Sequence, residues 1–168
     1  IQTQKKNPKR VNIFLDGRFA FGISLESKIV NHLKIDQELI QAKVDELIFS
    51  DQVERLYDKA LHFLGSRPRS EREIRNHLLT KLKITDKGED EQKNFERSIN
   101  SALEKLVTIG QVDDREFARW WVEQRMRFRK SSPRLIKQEL FQKGINKEII
   151  EEIFFDISID PLELALEA

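Results

Sequence analysis

The side chains most often used in catalysis and metal binding are few in this chain and far apart. The three histidines, His32, His62 and His77, fall on separate segments, whereas a zinc site needs several ligands that converge. The chain contains no cysteine, which excludes disulfides, thiolate metal sites and thiol catalysis and is compatible with the cytosol. We therefore predict no metal site, with the histidines as partly exposed helix residues.

Two short motifs resemble a phosphate-binding loop and a paired carboxylate site, but their sequence context argues against both. GRFAFGIS, residues 17–24, has the glycine spacing of a phosphate-binding loop, but Ile23 stands where the essential lysine would be and the segment reads as a hairpin. Asp113 and Asp114 are adjacent carboxylates at a predicted helix start, where one caps the helix and the other meets its dipole. We therefore predict no cofactor and no catalytic centre.

Basic side chains form the pattern most suited to binding a ligand. Two runs occupy equivalent junctions between predicted helices, and such corners suit a phosphate backbone or an acidic protein surface. The alternative is a solvated surface in which the arginines pair with nearby glutamates; the first run favours neither interpretation, and the second favours binding. The predicted partner-binding residues are Arg67, Arg69, Arg72, Arg75, Arg119, Arg125, Arg127, Arg129, Lys130, Arg134, Lys137 and Trp120.

Charge is unevenly distributed along the chain although its total is only +1. Residues 115–147 carry ten basic and three acidic side chains, a net charge of +7. Residues 148–168 carry seven acidic side chains and no basic one, a net charge of −7. This segregation predicts a strong dipole along the molecule, with the basic part as a functional surface.

The tandem tryptophans cannot share one buried face, because neighbouring helix residues point about 100° apart. Trp121 shares a face with Phe117 and Phe128, which predicts a core position for all three. Trp120 falls on the polar side near Arg127, where it is either a contact hot spot or a residue that packs against a neighbouring unit.

An internal repeat at an offset of 62 residues organises the chain from about residue 50 onward. The matched pairs are Asp51 and Asp113, Arg67 and Arg129, Ser70 and Ser132, Ile74 and Ile136, Leu78 and Leu140, and Lys81 and Lys143. Each unit reads as a long helix, a break with a proline, an amphipathic helix capped by serine, and a third helix. A further start, IDPLELA at 159–165, matches VDDREFA at 112–118. Repeated supersecondary units are typical of a stacked array.

Residues 11–23 predict a β-hairpin with Asp16-Gly17 in a type I′ turn, which places Phe14 across from Phe19 and Ile13 across from Ala20. A lone hairpin is marginally stable, so we expect its own helices to cover it; pairing of a strand edge with another chain is the alternative. Ser24, Asp36 and Asp51 are predicted to cap the following helices, and residues 85–94 to form a solvated loop. The apolar residues Leu25, Ile29, Val30 and Leu33 are predicted to share one side of the first helix.

The 168 residues include 39% hydrophobic and 35% charged side chains, enough to form a core and too apolar for disorder. No apolar run spans a bilayer, and the first residues lack a secretory signal's apolar region, so we expect a cytoplasmic monomer. The predicted fold class is mainly α, with tandem three-helix repeats and a small N-terminal β-hairpin. The predicted divisions are 1–48, 49–111, 112–158 and 159–168, the last being the start of a truncated third repeat.

Three segments together resemble the RecX family of bacterial recombinase regulators. They are SRPRSEREIRNHLLTKL at 66–82, LEKLVTIGQVDDREFARWWVEQR at 103–125 and SSPRLIKQELFQKGI at 131–145, in the family's order and spacing. Departures are Ser132-Pro133 in place of Gly-Pro, Lys81-Leu82-Lys83 in place of Lys-Gly, and the short third repeat.

The resemblance implies an elongated, curved array of three-helix repeats that binds the groove of a RecA–single-stranded-DNA filament. It implies inhibition of strand exchange and of ATP hydrolysis by the recombinase, without catalysis by this chain. The alternative from the residues alone is a helical DNA-binding module, in which the helix after Ser70 or Ser132 contacts phosphates.

Overall fold

A computed structural model describes residues 1–80, 88–129 and 131–159 of the chain. Within these residues a small antiparallel sheet of order β1-β2-β3 is followed by seven helices, so the predicted mainly helical fold with an N-terminal hairpin is confirmed. The elements are β1 Gln2–Thr3, β2 Arg10–Leu15, β3 Arg18–Ser24, α1 Leu25–Val30, α2 Gln41–Leu64, α3 Glu71–Thr80, α4 Glu89–Thr108, α5 Asp114–Arg129, α6 Pro133–Gln142 and α7 Lys147–Ile159.

The hairpin turns at Asp16 and Gly17, whose φ angles of 49° and 78° are those of the predicted type I′ turn. Phe14 lies opposite Phe19 as predicted, but Ile13 lies opposite Phe21 and not Ala20. The register prediction was wrong there because a bulge inserts an extra residue between the two pairs. The bulge places Ile13 and Phe21 together on the buried face, whereas Ala20 is exposed.

The hairpin packs on its own helices, as predicted, through a core that Leu33 and the first half of α2 complete. Ser24 caps α1, but Ile29 and Val30 are 63% and 68% exposed, so the predicted apolar side of α1 is not buried. Asp36 does not cap a helix: α2 begins at Gln41, and Asp36 lies in a turn with a φ of 60°.

Asp51 does not begin a helix either, because α2 continues unbroken from Gln41 to Leu64. No glycine or proline interrupts this stretch, and Asp51 is buried at 6% exposure within it. Its Oδ2 accepts a hydrogen bond of 2.8 Å from Arg10 Nη2, which also donates to the carbonyl of Gly22. The aspartate therefore joins α2 to the sheet, and the division predicted at 48/49 falls inside one helix.

Two further cores lie in the two helical units. The first unit, α2 to α4, buries residues such as Leu56, Ile74 and Leu103; the second, α5 to α7, buries Phe117, Ile136 and Ile153 among others. The loop prediction for 85–94 was wrong for residues 89–94, because α4 begins at Glu89 with an acidic first turn that its dipole favours. Residues 85–87 of that predicted loop lie outside the described residues. The predicted third start lies outside the described residues from residue 160 onward.

Equivalent backbone turns end α4 and α6. Gly110 and Gly144 have φ angles of 70° and 86°, and the next amide in each case donates to a carbonyl five residues earlier. This is the Schellman geometry, which favours glycine at the left-handed position. In the described residues no helix is long and apolar enough to span a membrane.

Candidate partner-binding surface at the helix corners

The first basic corner, the turn between α2 and α3, is engaged in contacts within the chain. Arg67 pairs with Glu73, with an Nη2–Oε1 distance of 2.8 Å. Arg69 donates to Ser66 Oγ, and its guanidinium lies 4.0 Å from the centre of the Phe63 ring. Arg75 donates to Glu71 and to Asn100. Arg67, Arg69 and Arg75 therefore stabilise the fold around α3 through their charged groups, whereas the Arg72 side chain is exposed and forms no ion pair among the described residues.

Glu73 is the centre of this corner and links the two helical units. Its carboxylate accepts two hydrogen bonds from Arg67 and one of 2.7 Å from Lys143 Nζ in the second unit. With Ser70 it also forms a capping box, because Ser70 Oγ accepts from the Glu73 amide and Glu73 Oε2 accepts from the Ser70 amide. Burial acts to raise the pKa of Glu73, but the hydrogen bonds from Arg67 and Lys143 outweigh it and lower that pKa from 4.5 to about 2.

Further polar contacts join the first turn of α3 to the second unit. Ser70 Oγ donates to the carbonyl of Lys143 at 2.7 Å, and Asp114 Oδ1 accepts from the Glu71 amide at 2.8 Å. Burial raises the pKa of Asp114, outweighing this hydrogen bond. The Arg72 stem crosses Gly144 so closely that a Cβ there would lie 2.5 Å from Arg72 Cδ. We call these contacts, together with Glu73, the inter-unit joint.

Many cations of the second unit are neutralised by helix α7. Arg119 pairs with Asp156 at 3.7 Å and Lys137 with Glu151 at 2.7 Å, and Arg115 pairs with Glu152. The described part of the acidic stretch, helix α7, thus packs beside the basic helices that precede it. The prediction of a dipole along the molecule was wrong in this respect, because three-helix packing brings the opposite charges together.

Arg125 is also occupied within the unit. Its Nε donates to Glu139 at 2.7 Å, the same carboxylate that accepts from the Trp121 indole at 2.8 Å. Its guanidinium lies 4.4 Å from the centre of the Trp121 ring, and the Lys143 ammonium lies 4.1 Å from that centre. Glu139 and the Trp121 ring therefore hold the charged groups of Arg125 and Lys143 beside the inter-unit joint.

In the second unit, three of the predicted arginines are exposed without an ion pair among the described residues: Arg127, Arg129 and Arg134. They lie in the last turn of α5 and the first turn of α6, on either side of the break. Lys130, also predicted, lies outside the described residues. Three large apolar side chains share these turns, and Met126, Phe128 and Leu135 are 47%, 68% and 46% exposed. We call these six described residues the α5–α6 corner.

The apolar members of the corner were not identified from the sequence as binding residues. The core prediction for Phe128 was wrong, because it lies in the last turn of α5 and does not join the core of that unit. The sequence around Met126 and Leu135 gives no sign that these two apolar side chains are exposed and not buried. The repeat held the relevant signal, since Leu135 occupies the position of Glu73 at an offset of 62.

Trp120 is only partly exposed. Its ring packs on the second core, with its centre 6.0 Å from that of Phe117. It also lines a recess with Arg67 and Arg69 of the first unit. Trp120 therefore belongs to the contact region between the units.

No group of three or more potential metal ligands occurs among the described side chains. His62 lies on α2 and His77 on α3 as predicted, whereas His32 follows α1 in a turn with a φ of 50°. The side chains of the α5–α6 corner are suited to recognition: guanidinium groups bind carboxylates or phosphates, and the adjoining apolar side chains bury surface on contact.

Comparison with protein-family models matches most of the chain. Residues 1–40 match the N-terminal domain of the regulatory protein RecX, residues 57–82 its first three-helix domain and residues 113–153 its second three-helix domain. A regulatory protein RecX of Listeria monocytogenes serotype 4b is 32% identical over 158 residues, covering 94% of this chain and 55% of the relative. Another, of Bacillus licheniformis, is 33% identical over 168 residues, covering 99% and 60%.

A crystal structure of regulatory protein RecX is similar with a TM-score of 0.67 and 28% identity, covering 93% of this chain and 71% of that one. The chain spans a little over half the length of the curated relatives it matches.

Proposed function

The chain belongs to the RecX family of regulatory proteins, and from this premise we propose that it binds the RecA–single-stranded-DNA filament and inhibits strand exchange and ATP hydrolysis by the recombinase. The α5–α6 corner is the proposed contact. The observation that carries this choice is that three exposed arginines form no ion pair within the described part of the chain and lie beside three exposed apolar side chains.

The mechanism requires only binding, and the chain acts as a cytoplasmic monomer without catalysis of its own. A ligand that binds two states of a filament unequally shifts the population toward the state it prefers. An array of units that docks along the filament groove and favours an inactive or disassembling state would reduce both activities. Exposed arginines that are not already paired lose less on docking, because no internal ion pair has to be broken.

The test reverses the corner's charge with Arg127→Glu, Arg129→Glu and Arg134→Glu in one variant. We expect the concentration needed for half-inhibition of RecA ATP hydrolysis on single-stranded DNA to rise at least about tenfold, since interface arginines often contribute more than a factor of ten each. The matched control reverses Arg55, Lys59 and Lys93, which are exposed and outside the corner, and its half-inhibition should stay within about twofold of the parent.

Circular dichroism melting establishes that both variants keep the fold. Unchanged inhibition by a folded corner variant would contradict the surface assignment. Equal loss in both variants would show that total charge and not the corner determines inhibition.

A DNA-binding module is the second candidate function, and one observation favours it. The corner adjoins the N-terminus of α6, where Ser132 caps the helix. A helix N-terminus with arginines beside it suits the binding of a phosphate. Co-sedimentation with RecA filaments, with naked single-stranded DNA as the control, separates the two. Binding to duplex DNA without RecA that falls steeply with salt would favour this second function.

A further inference from the structure

An open groove of about 900 Å³ lies between α1, α2 and the end of α4, in the first half of the molecule. Its walls come from α1, the short helix after the hairpin, and from two helices of the first unit. At its rim Val30 is 68% exposed and Ile109 55% exposed. Neither the sheet nor the first core covers these side chains.

The charges around the groove distinguish it from the basic corner. Glu26, Glu54 and Glu104 line it, and none forms an ion pair among the described residues, whereas Lys105 is its one described basic lining residue. Elsewhere carboxylates such as Glu73, Glu139 and Glu151 are neutralised by cations. Free carboxylates beside exposed apolar side chains repel a phosphate backbone and attract a cation that carries apolar surface.

We propose that this groove binds a basic amphipathic segment of a partner protein, with apolar side chains on Val30 and Ile109 and lysine or arginine side chains on the three glutamates. The volume suits a short helix or an extended peptide of a few residues. Hydroxyl groups of Ser50 and Tyr57 in the lining supply hydrogen-bond partners for the polar edge of the segment. This inference does not depend on the α5–α6 corner, which has the opposite charge.

The test uses a synthetic peptide of leucine and lysine with the leucines at helical spacing, titrated into the ¹⁵N-labelled chain. We expect amide shifts at residues 24–31, 50–57 and 101–109, and weaker binding when glutamate replaces every lysine of the peptide. A peptide of the same composition in a non-amphipathic order should also bind more weakly, because its apolar side chains cannot share one face.

Variants of the chain separate the groove from general charge. Glu26→Gln, Glu54→Gln and Glu104→Gln together should weaken binding of the leucine–lysine peptide about tenfold. The matched control carries Glu38→Gln, Glu96→Gln and Glu123→Gln, all at exposed positions outside the groove. It should bind the peptide within about twofold of the parent.

The apolar contribution is tested at constant charge by Val30→Ser with Ile109→Ser, which should weaken binding to a similar degree. Shifts centred outside the groove, or equal affinities for the groove and control variants, would overturn the proposal. Shifts of the same signals by a single-stranded oligonucleotide would also overturn it, because the occupant would then be a nucleic acid.

Discussion

Replacement of Glu73 by glutamine tests whether the inter-unit joint depends on one carboxylate. The substitution keeps the size of the side chain and one acceptor for the Ser70 amide, but it removes the negative charge that Arg67 and Lys143 share. Both cations would then face each other without a counter-charge. We expect the variant to fold with a weakened contact between the units.

The expected magnitude follows from the pKa of the carboxyl. A pKa lowered from 4.5 to about 2 is equivalent to about 3 kcal/mol when fully expressed. The side chain keeps 18% of its exposure, so solvent screens part of the attraction. We therefore expect Glu73→Gln to lower the free energy of unfolding by about 1–2 kcal/mol at pH 7.

The sign of the pH dependence is fixed by the direction of the shift. Because the folded pKa lies below the unfolded one, the stabilising contribution is complete above about pH 5 and is lost as the pH falls toward 2. Urea unfolding of parent and variant at pH 7 and pH 3 should therefore give a difference that falls by about half.

The matched control for this experiment is Glu71→Gln on the same helix. Glu71 pairs with Arg75 at 3.4 Å and is 43% exposed, so its loss should cost less than about 0.5 kcal/mol. Equal stability of parent and Glu73→Gln at pH 7, or a difference that persists unchanged at pH 3, would refute the reasoning.

Three further substitutions test other parts of the structure. Gly144→Ala should lower the free energy of unfolding by about 2 kcal/mol in urea titrations, because its φ is 86° and a Cβ would overlap the arginine stem that crosses it. Gly88→Ala, with open space around it, should cost less than about 1 kcal/mol, the cost of placing alanine at the N-cap of α4. Asp51→Asn should cost about 3 kcal/mol in the same assay, because it leaves a partly buried arginine without its counter-charge. Leu135→Glu should raise the melting temperature by completing a capping box, and should weaken the proposed inhibition of RecA by pairing with Arg129.

Each of these outcomes has a result that would contradict it. A Gly144→Ala variant as stable as the parent would show that the inter-unit joint can rearrange to accept a Cβ. An Asp51→Asn variant as stable as the parent would show that the Arg10–Asp51 contact does not stabilise the packing of the sheet on α2. For Leu135→Glu the control is Leu135→Gln, which can complete the capping box without a charge. Equal inhibition by the two variants would exclude an electrostatic effect at the corner.

The sequence predicted the elements that depend on local chemistry. Serines at 24 and 132 cap helices because their hydroxyls accept backbone amides, and the Asp16-Gly17 pair forms a hairpin turn because it accommodates positive φ angles. The units of three helices followed from hydrophobic periodicity and from the repeat. These signals lie within a few residues of the feature they specify.

Features that depend on distant partners could not be predicted in the same way. Asp51 matches the helix cap Asp113 in the repeat, yet its environment is set by Arg10, 41 residues earlier in the chain. The segregation of charge likewise gave no sign that α7 would fold back on α5. The sequence shows which charged side chains are present, but the packing of the helices decides which of them form ion pairs.

The two basic corners differ in residue type at one equivalent position of the repeat. Arg67 and Arg129 are equivalent at an offset of 62, but the position three residues after the capping serine is Glu73 in the first unit and Leu135 in the second. The glutamate forms ion pairs with Arg67 and with Lys143 of the second unit, so the first corner becomes a joint between units. The leucine leaves Arg129 without that partner and is itself exposed. The residue type at this one equivalent position therefore contributes to the difference between a corner that joins two units and a corner whose side chains are exposed, which is the corner we propose as the contact with a partner.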